Sequence, residues 1–290
     1  MAITALCWWH QAPLAAPRQE TPWSQCRPAG SLHKVAGLTE ASGLAASRSV
    51  PGRLWTHNDS GQPILFGIDA KGSVTARVRL AGATVDDWEA VGVGSCSSGS
   101  CVYVGDIGDN KAIRRNITIY RVPEPASAAG ATVTAEALHA TYPDGAHDAE
   151  ALLVAPDGSL YVVTKGDAGP VTLYKFPRTL NPGATVALER VSQRRGGGKG
   201  KGADDRITDG AISADGAWVV LRTKTALIFY PARDFLAGAW RETQRIDLTA
   251  LGEPQGEGVA FGGDGTVFVV GEGAGAGSLG RITCRPTPER

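Results

Sequence analysis

Net charge is the first thing this chain lacks. Its 29 Lys and Arg balance its 29 Asp and Glu over 290 residues. A neutral chain has no general attraction for nucleic acid or for an anionic membrane surface, so neither is an expected partner. Long apolar runs are missing too: none approaches the ~18 residues that a bilayer crossing needs. Methionine occurs once and helical periodicity is scarce. No Gly-x-Ser-x-Gly is present, which excludes a serine hydrolase of the nucleophile-elbow type. The basic, glycine-rich stretch 194–202 lacks the Gly-Lys-Ser/Thr of a phosphate-binding loop, and reads as a solvated connection.

Glycine is abundant, at 38 residues, as in an all-β chain with many turns. An acidic residue followed by a small one opens a short apolar run five times: Glu40-Ala-Ser-Gly-Leu, Glu89-Ala-Val-Gly-Val, Glu150-Ala-Leu-Leu-Val, Asp209-Gly-Ala-Ile-Ser and Glu257-Gly-Val-Ala-Phe. The motif recurs roughly every 50–60 residues, the period of a propeller blade. A turn signal follows in four of the units, at Pro51-Gly52, Asp157-Gly158, Asp215-Gly216 and Asp264-Gly265. Second strands are expected at 54–59, 101–106, 160–165, 218–223 and 267–272. They are apolar almost throughout, as strands buried on both faces are. Third strands are expected at 64–68, 117–122, 171–176, 227–230 and 279–283. Fourth strands are expected at 74–80, 138–142, 186–191 and 241–248, with long loops at 123–132 and 192–206. The last unit runs out before its fourth strand, and an N-terminal strand at 32–36 can supply it. The expected fold is therefore an all-β propeller of five four-stranded blades, with six as the alternative, in a single domain over 26–290.

The five cysteines predict two disulfides. Cys96 and Cys101 flank a tight loop, and Cys26 and Cys284 lie at the two ends of the folded region, where a bridge would pin ring closure. Cys7 is left over in residues 1–25, a leader or disordered segment that has an apolar stretch from Ala2 to Trp9 but no basic start. Five unpaired buried thiols are the alternative. Two disulfides favour an oxidising compartment, so a secreted, periplasmic or cell-envelope monomer is expected.

Consecutive blade strands are antiparallel. The starts of the first strands and the ends of the second strands therefore meet at one channel mouth. The first set contributes Glu40, Glu89, Glu150, Asp209 and Glu257. The second contributes Asn58 and Asp59, Asp106, Lys165, Arg222 and Thr223, and Glu272. The loop after Asp106 adds Asp109, Asn110, Arg114 and Arg115. Crowded carboxylates need a counter-charge. Calcium, which takes six to eight oxygen ligands, is one remedy, with Glu40, Asp59, Glu89, Asp106, Glu150, Asp209 and Glu257 as candidate ligands. An ion-pair network through Lys165, Arg222 and Arg115 is the other. Asn58, Asp109, Asn110, Arg115, Lys165, Arg222 and Glu272 are candidates to bind a small polar ligand or a protein partner. His147 beside Asp148 is the candidate general base, with His57 as a further histidine near the mouth.

Glu40-Ala-Ser-Gly-Leu, Asn58-Asp-Ser-Gly, Asp87-Trp-Glu-Ala, Gly105-Asp-Ile-Gly-Asp-Asn, Asp148-Ala-Glu-Ala, Val220-Leu-Arg-Thr and Gly256-Glu-Gly together resemble a group of mostly secreted bacterial β-propeller proteins. That likeness spans about residues 35–275 and implies the fold without implying an activity. More loosely, the chain is similar to calcium-dependent propeller hydrolases such as gluconolactonase, regucalcin, paraoxonase and phytase-like esterases. This implies a metal at the acidic mouth and hydrolysis of an ester, lactone or phosphoester, with an unbound carboxylate or His147 activating water. The chain departs from those relatives in placing Lys165 and Arg222 among the acids and in reaching five blades instead of six.

Overall fold

The computed structural model describes residues 26–126, 129–167, 169–196, 205–263 and 265–284. The expected leader, Cys7, Asp264 and most of the basic stretch lie outside the described residues. Five sheets, each built on consecutive antiparallel strands, form a ring of five blades. Blade I holds Ala41–Ala46, Leu54–Asn58, Ile64–Ile68 and Val74–Ala81, and blade II holds Trp88–Cys96, Gly99–Asp106, Ile117–Pro123 and Glu136–Thr141. Blade III follows with Ala149–Val154, Leu160–Thr164, Val171–Lys175 and Glu189–Arg194. Blade IV has Ile207–Ile212, Trp218–Thr223, Ala226–Pro231 and Gln244–Asp247. Blade V has Gln255–Phe261, Thr266–Glu272 and Gly277–Thr283. Among the described residues helix is confined to Ala232–Leu236 and a 3-10 turn at Thr249–Leu251, and no described helix is long and apolar enough to cross a membrane.

The hairpin between first and second strands explains the glycines at its tip. Gly52, Gly99, Gly158, Gly216 and Gly265 all have positive φ, between 72° and 103°, where a side chain on any other residue is strained. The blades then bury their faces against one another. Each of the five apolar clusters lies at one blade–blade interface, so the protein has five wedge-shaped cores instead of one central core. Inner strands approach closely enough that a Cβ on Gly92 would stand 2.4 Å from Val154 Cγ2 of the next blade. The same main-chain bond recurs near the acidic end: Trp88 N–H donates to Asp59 O, Ala149 N–H to Ile107 O and Ile207 N–H to Lys165 O. Each bond ties the start of one blade to the end of the second strand in the blade before.

The ring closes as expected, with one refinement. His33–Val35 pairs antiparallel with Leu279–Gly277, and Arg27–Pro28 pairs with Thr283 and Ile282, so two short N-terminal pieces share the outer position of blade V. Cys26–Cys284 bridges this seam, and Cys96–Cys101 closes the hairpin of blade II. Two expectations are corrected, the loop at 123–132 and the fourth strand at 186–191. Ala129–Thr134 is a strand, parallel to Val74–Ala81 of blade I. Thr185–Ala187 does not start the fourth strand of blade III; it pairs parallel with His139–Thr141 of blade II, and the fourth strand is Glu189–Arg194. Both connections return to cover an outer strand that would otherwise expose unpaired N–H and C=O groups.

Candidate functional site

The inner strands do not meet the mouth in the register that the acidic motif suggests. Four of them carry a bulge, one residue opposed by nothing on the second strand. These residues are Glu89, between Trp88↔Asp106 and Ala90↔Gly105; Glu150, between Ala149↔Thr164 and Ala151↔Val163; Thr208, between Ile207↔Thr223 and Asp209↔Arg222; and Glu257, between Gly256↔Gly271 and Gly258↔Val270. In blade I, Ala41↔Asn58 gives Ser42 the same place, and the irregularity falls just after it. A bulge re-aims a side chain. The bulge ring is therefore Ser42, Glu89, Glu150, Thr208 and Glu257. Glu40 lies two residues ahead of it, level with Asp87 and Asp148. Asp209 lies one residue beyond it, inside the ring.

Lys165 is the charge at the centre of this site. Its ammonium contacts Glu150, lies 3.3 Å from Asp148 Oδ2 and donates a 3.5 Å bond to Asn110 Oδ1. Burial works against its charge, but Glu150, Asp148 and Glu89 outweigh burial and hold it protonated beyond the usual lysine range. Among the described residues Asp59, Asp87, Glu89, Glu257 and Glu272 form no ion pair. Burial, then Glu150 and Asp87, push Glu89 well up. Burial raises Glu257 and Glu272, against some relief from Gln255. Burial and Asp148 raise Asp87. Asp59 is pushed up to about 7 by burial and by Glu40, Glu272 and Asp87. These mutual effects connect the carboxylates of blades I, II, III and V into one acidic cluster. In blade IV the corresponding positions hold Arg206 and Lys224, which form no ion pair among the described residues.

Several expected site residues have other work. Asp106 accepts the Asp86 and Asp87 N–H groups and pairs with Arg114 at 2.7 Å. Asp109 accepts the Arg114 N–H and donates its own N–H to Asp148. The Asp106–Asn110 segment is thus an arginine-locked loop, and Arg114 does the pairing while Arg115 is exposed and pairs with none of the described acids. Arg222 is fully buried between blades IV and V, where it donates to Gly258 O and Val270 O and pairs with Glu253. Asp209 is also fully buried, and accepts the Val259 N–H at 2.8 Å. Asn58 accepts the Glu40 N–H, and Ser60 donates to Glu40, which remains exposed.

Neighbours in sequence part company at His147-Asp148. Asp148 faces Lys165, while His147 Nε2 lies 3.0 Å from Asp144 Oδ1 and 2.9 Å from the Tyr174 hydroxyl, on the outer part of blade III. The structure does not bring this histidine to the acidic cluster. His57 is buried against Trp88, with Nδ1 3.1 Å from Asn58 O, and burial lowers it to about 4, so it is neutral. Asp87 and Ser42 are the cluster members that the acidic motif misses. Ser42 Oγ donates to Glu89 O and reaches Glu89 Oε2 at 3.4 Å.

These residues do not fit the expected calcium ion. An ammonium occupies the space between Asp148 and Glu150 where a cation would sit. Among the described residues no group of three or more His, Cys, Asp or Glu side chains is arranged to hold a metal.

No family model matches the chain, and no curated protein matches its sequence. Solved structures do match in fold. The soluble aldose sugar dehydrogenase of Escherichia coli in its apo form aligns with a TM-score of 0.51 at 10% identity, covering 90% of this chain and 100% of that one. The PQQ-bound aldose sugar dehydrogenase of Streptomyces coelicolor gives 0.50 at 12%, covering 91% and 99%. A gluconolactonase from Xanthomonas campestris gives 0.47 at 12%, covering 87% and 89%. Identities this low carry the fold alone. What the comparisons and the sheet order establish together is a five-bladed β-propeller.

Proposed function

We propose that the acidic mouth recognises a positively charged group, an amine or guanidinium, on a small polar ligand. One observation carries this reading: burial, reinforced by neighbouring carboxylates, disfavours ionisation of Glu89, Glu257, Asp59, Asp87 and Glu272, none of which forms an ion pair among the described residues, and the Lys165 ammonium is inserted beside them. A ligand cation would replace protons on these carboxylates and gain several charge-assisted hydrogen bonds at once. Preformed carboxylates that cannot all ionise unaided are a receptor waiting for a counter-charge. Binding must then release protons, so affinity rises with pH through the range where Asp59 titrates. Export to an oxidising compartment belongs to the same proposal and is supported by the two disulfides.

Calcium-dependent hydrolysis of an ester, lactone or phosphoester is the competing reading, and one titration separates the two. Calorimetry with putrescine, spermidine and agmatine should give saturable binding that tightens from pH 6 to pH 8. Glu89→Gln with Glu257→Gln should weaken it by tenfold or more. Amines that bind no better than neutral sugars, beside a calcium site abolished by Glu150→Gln, would sink the proposal and restore the metal.

A further inference from the structure

We propose that the opposite end of the channel is a second, independent binding site, for a small apolar molecule that carries a carboxylate. The two ends share no lining residue: the acidic cluster is carried at Ser42, Glu89, Glu150 and Glu257, and the opposite end is lined from Leu44, Val91, Leu152, Gly210 and Ala260 onward. Between the two levels Asp209 of blade IV is fully buried and accepts the Val259 N–H of blade V. At the same level a Cβ on Gly258 would stand 2.6 Å from the Gly43 carbonyl carbon, so the inner strands of blades V and I are in close contact there.

Beyond this level the inner strands line a cavity of about 400 Å³. That volume falls within the range of small-molecule pockets. All five blades contribute to its wall, with apolar side chains such as Leu44, Val91, Leu152, Ala211 and Phe261. The chemistry is the reverse of the acidic mouth: an apolar funnel with its charges held at the rim. Two charged residues stand there, Arg48 and Asp215. The Asp215 carboxylate already accepts the Ser213 hydroxyl and the Ala217 N–H. Arg48 is exposed, donates a 3.4 Å bond to Ser95 Oγ and forms no ion pair among the described residues. The uncommitted charge at the rim is therefore positive. An aliphatic acid would bury its chain in the funnel and pair its carboxylate with the Arg48 guanidinium, a geometry that arginine favours. This inference does not depend on what the acidic mouth binds.

The test is calorimetric titration of the full chain with hexanoate, octanoate and decanoate, with decanol as the uncharged control. Expected are one-site binding, an affinity that rises about three- to fourfold per added methylene, and a tenfold or greater loss of decanoate affinity in Arg48→Gln with decanol unchanged. Ala211→Phe, which fills the funnel, should abolish both ligands while the melting temperature shows a folded protein. If that variant does not fold, Ala46→Leu at the funnel rim replaces it and should weaken both ligands. No saturable binding to the wild type, or binding that survives filling of the funnel, overturns the proposal.

Discussion

Arg222 and Glu253 form a buried ion pair across the seam between blades IV and V, with Nη2 2.6 Å from Oε2 and side-chain exposures of 0% and 4%. Two carbonyls of blade V, those of Gly258 and Val270, take the other guanidinium nitrogen. An arginine that the sequence places at the mouth thus serves as a rivet between blades. Removing one partner leaves the other charge buried and uncompensated, which costs about 3–5 kcal/mol. Glu253→Gln and Arg222→Met should each lower the urea midpoint accordingly. Glu253→Gln should leave the affinity of the acidic mouth for amines unchanged once folded protein is assayed, which separates this structural pair from Lys165.

Asp59 makes the stability of the protein depend on pH. Its folded-state pKa of about 7 lies above its ordinary value of 3.8, so the folded state holds the proton more tightly than the unfolded one. Stability from this group is present below pH 4 and is lost as pH rises toward 7. His57 acts in the opposite sense: lowered to about 4, it costs stability as pH falls from 6.5 to 4. The two overlap and flatten the wild-type profile. Asp59→Asn should therefore gain stability relative to wild type as pH rises from 4 to 8, measured as the difference in melting temperature. A difference that is constant with pH would show that Asp59 ionises normally.

Lys165→Gln should have its largest effect at high pH. Glu150 and Glu89, already raised by burial, then lose their nearest positive charge and are raised further. Raised carboxylates destabilise the folded state as pH climbs through their pKa values. The variant should fall further below wild type at pH 8 than at pH 5 in chemical denaturation.

The two disulfides should differ in worth. Cys26–Cys284 spans 258 residues of sequence and Cys96–Cys101 spans 5. In the chain-entropy account the first contributes about 5.5 kcal/mol and the second about 2 kcal/mol. Cys26→Ser with Cys284→Ser should move the denaturation midpoint well below that of Cys96→Ser with Cys101→Ser. Equal shifts would mean that ring closure is carried by the strand pairing of His33–Val35 and not by the bridge.

Strand identity was readable because each second strand is apolar on both faces and each hairpin tip needs a positive-φ glycine. The register at the mouth was readable as well, but from a different landmark. Counted back from the turn glycines, Glu150, Thr208 and Glu257 are equidistant from Gly158, Gly216 and Gly265, while Asp209 falls one residue short. Ser42 and Glu89 are likewise equidistant from Gly52 and Gly99, and Glu40 falls two residues too far. Matching by charge aligned Glu40 and Asp209 with the bulge ring, where hydroxyls stand instead. A bulge leaves no mark in composition because it is a property of the pairing between two strands.

Five blades, their strand order, the closing strand and both bridges follow from local patterns: apolar runs, turn glycines and cysteine positions. Those signals lie within tens of residues of one another, or at the two ends of the fold. The side-chain partners did not follow from the sequence. That Arg114 and not Arg115 locks the loop after Asp106, that Arg222 turns into the blade seam while Lys165 enters the acid cluster, and that His147 faces away from Asp148 depend on which way each side chain points from a pleated strand or loop, and on which neighbouring blade it meets there. Only the closed ring supplies those neighbours.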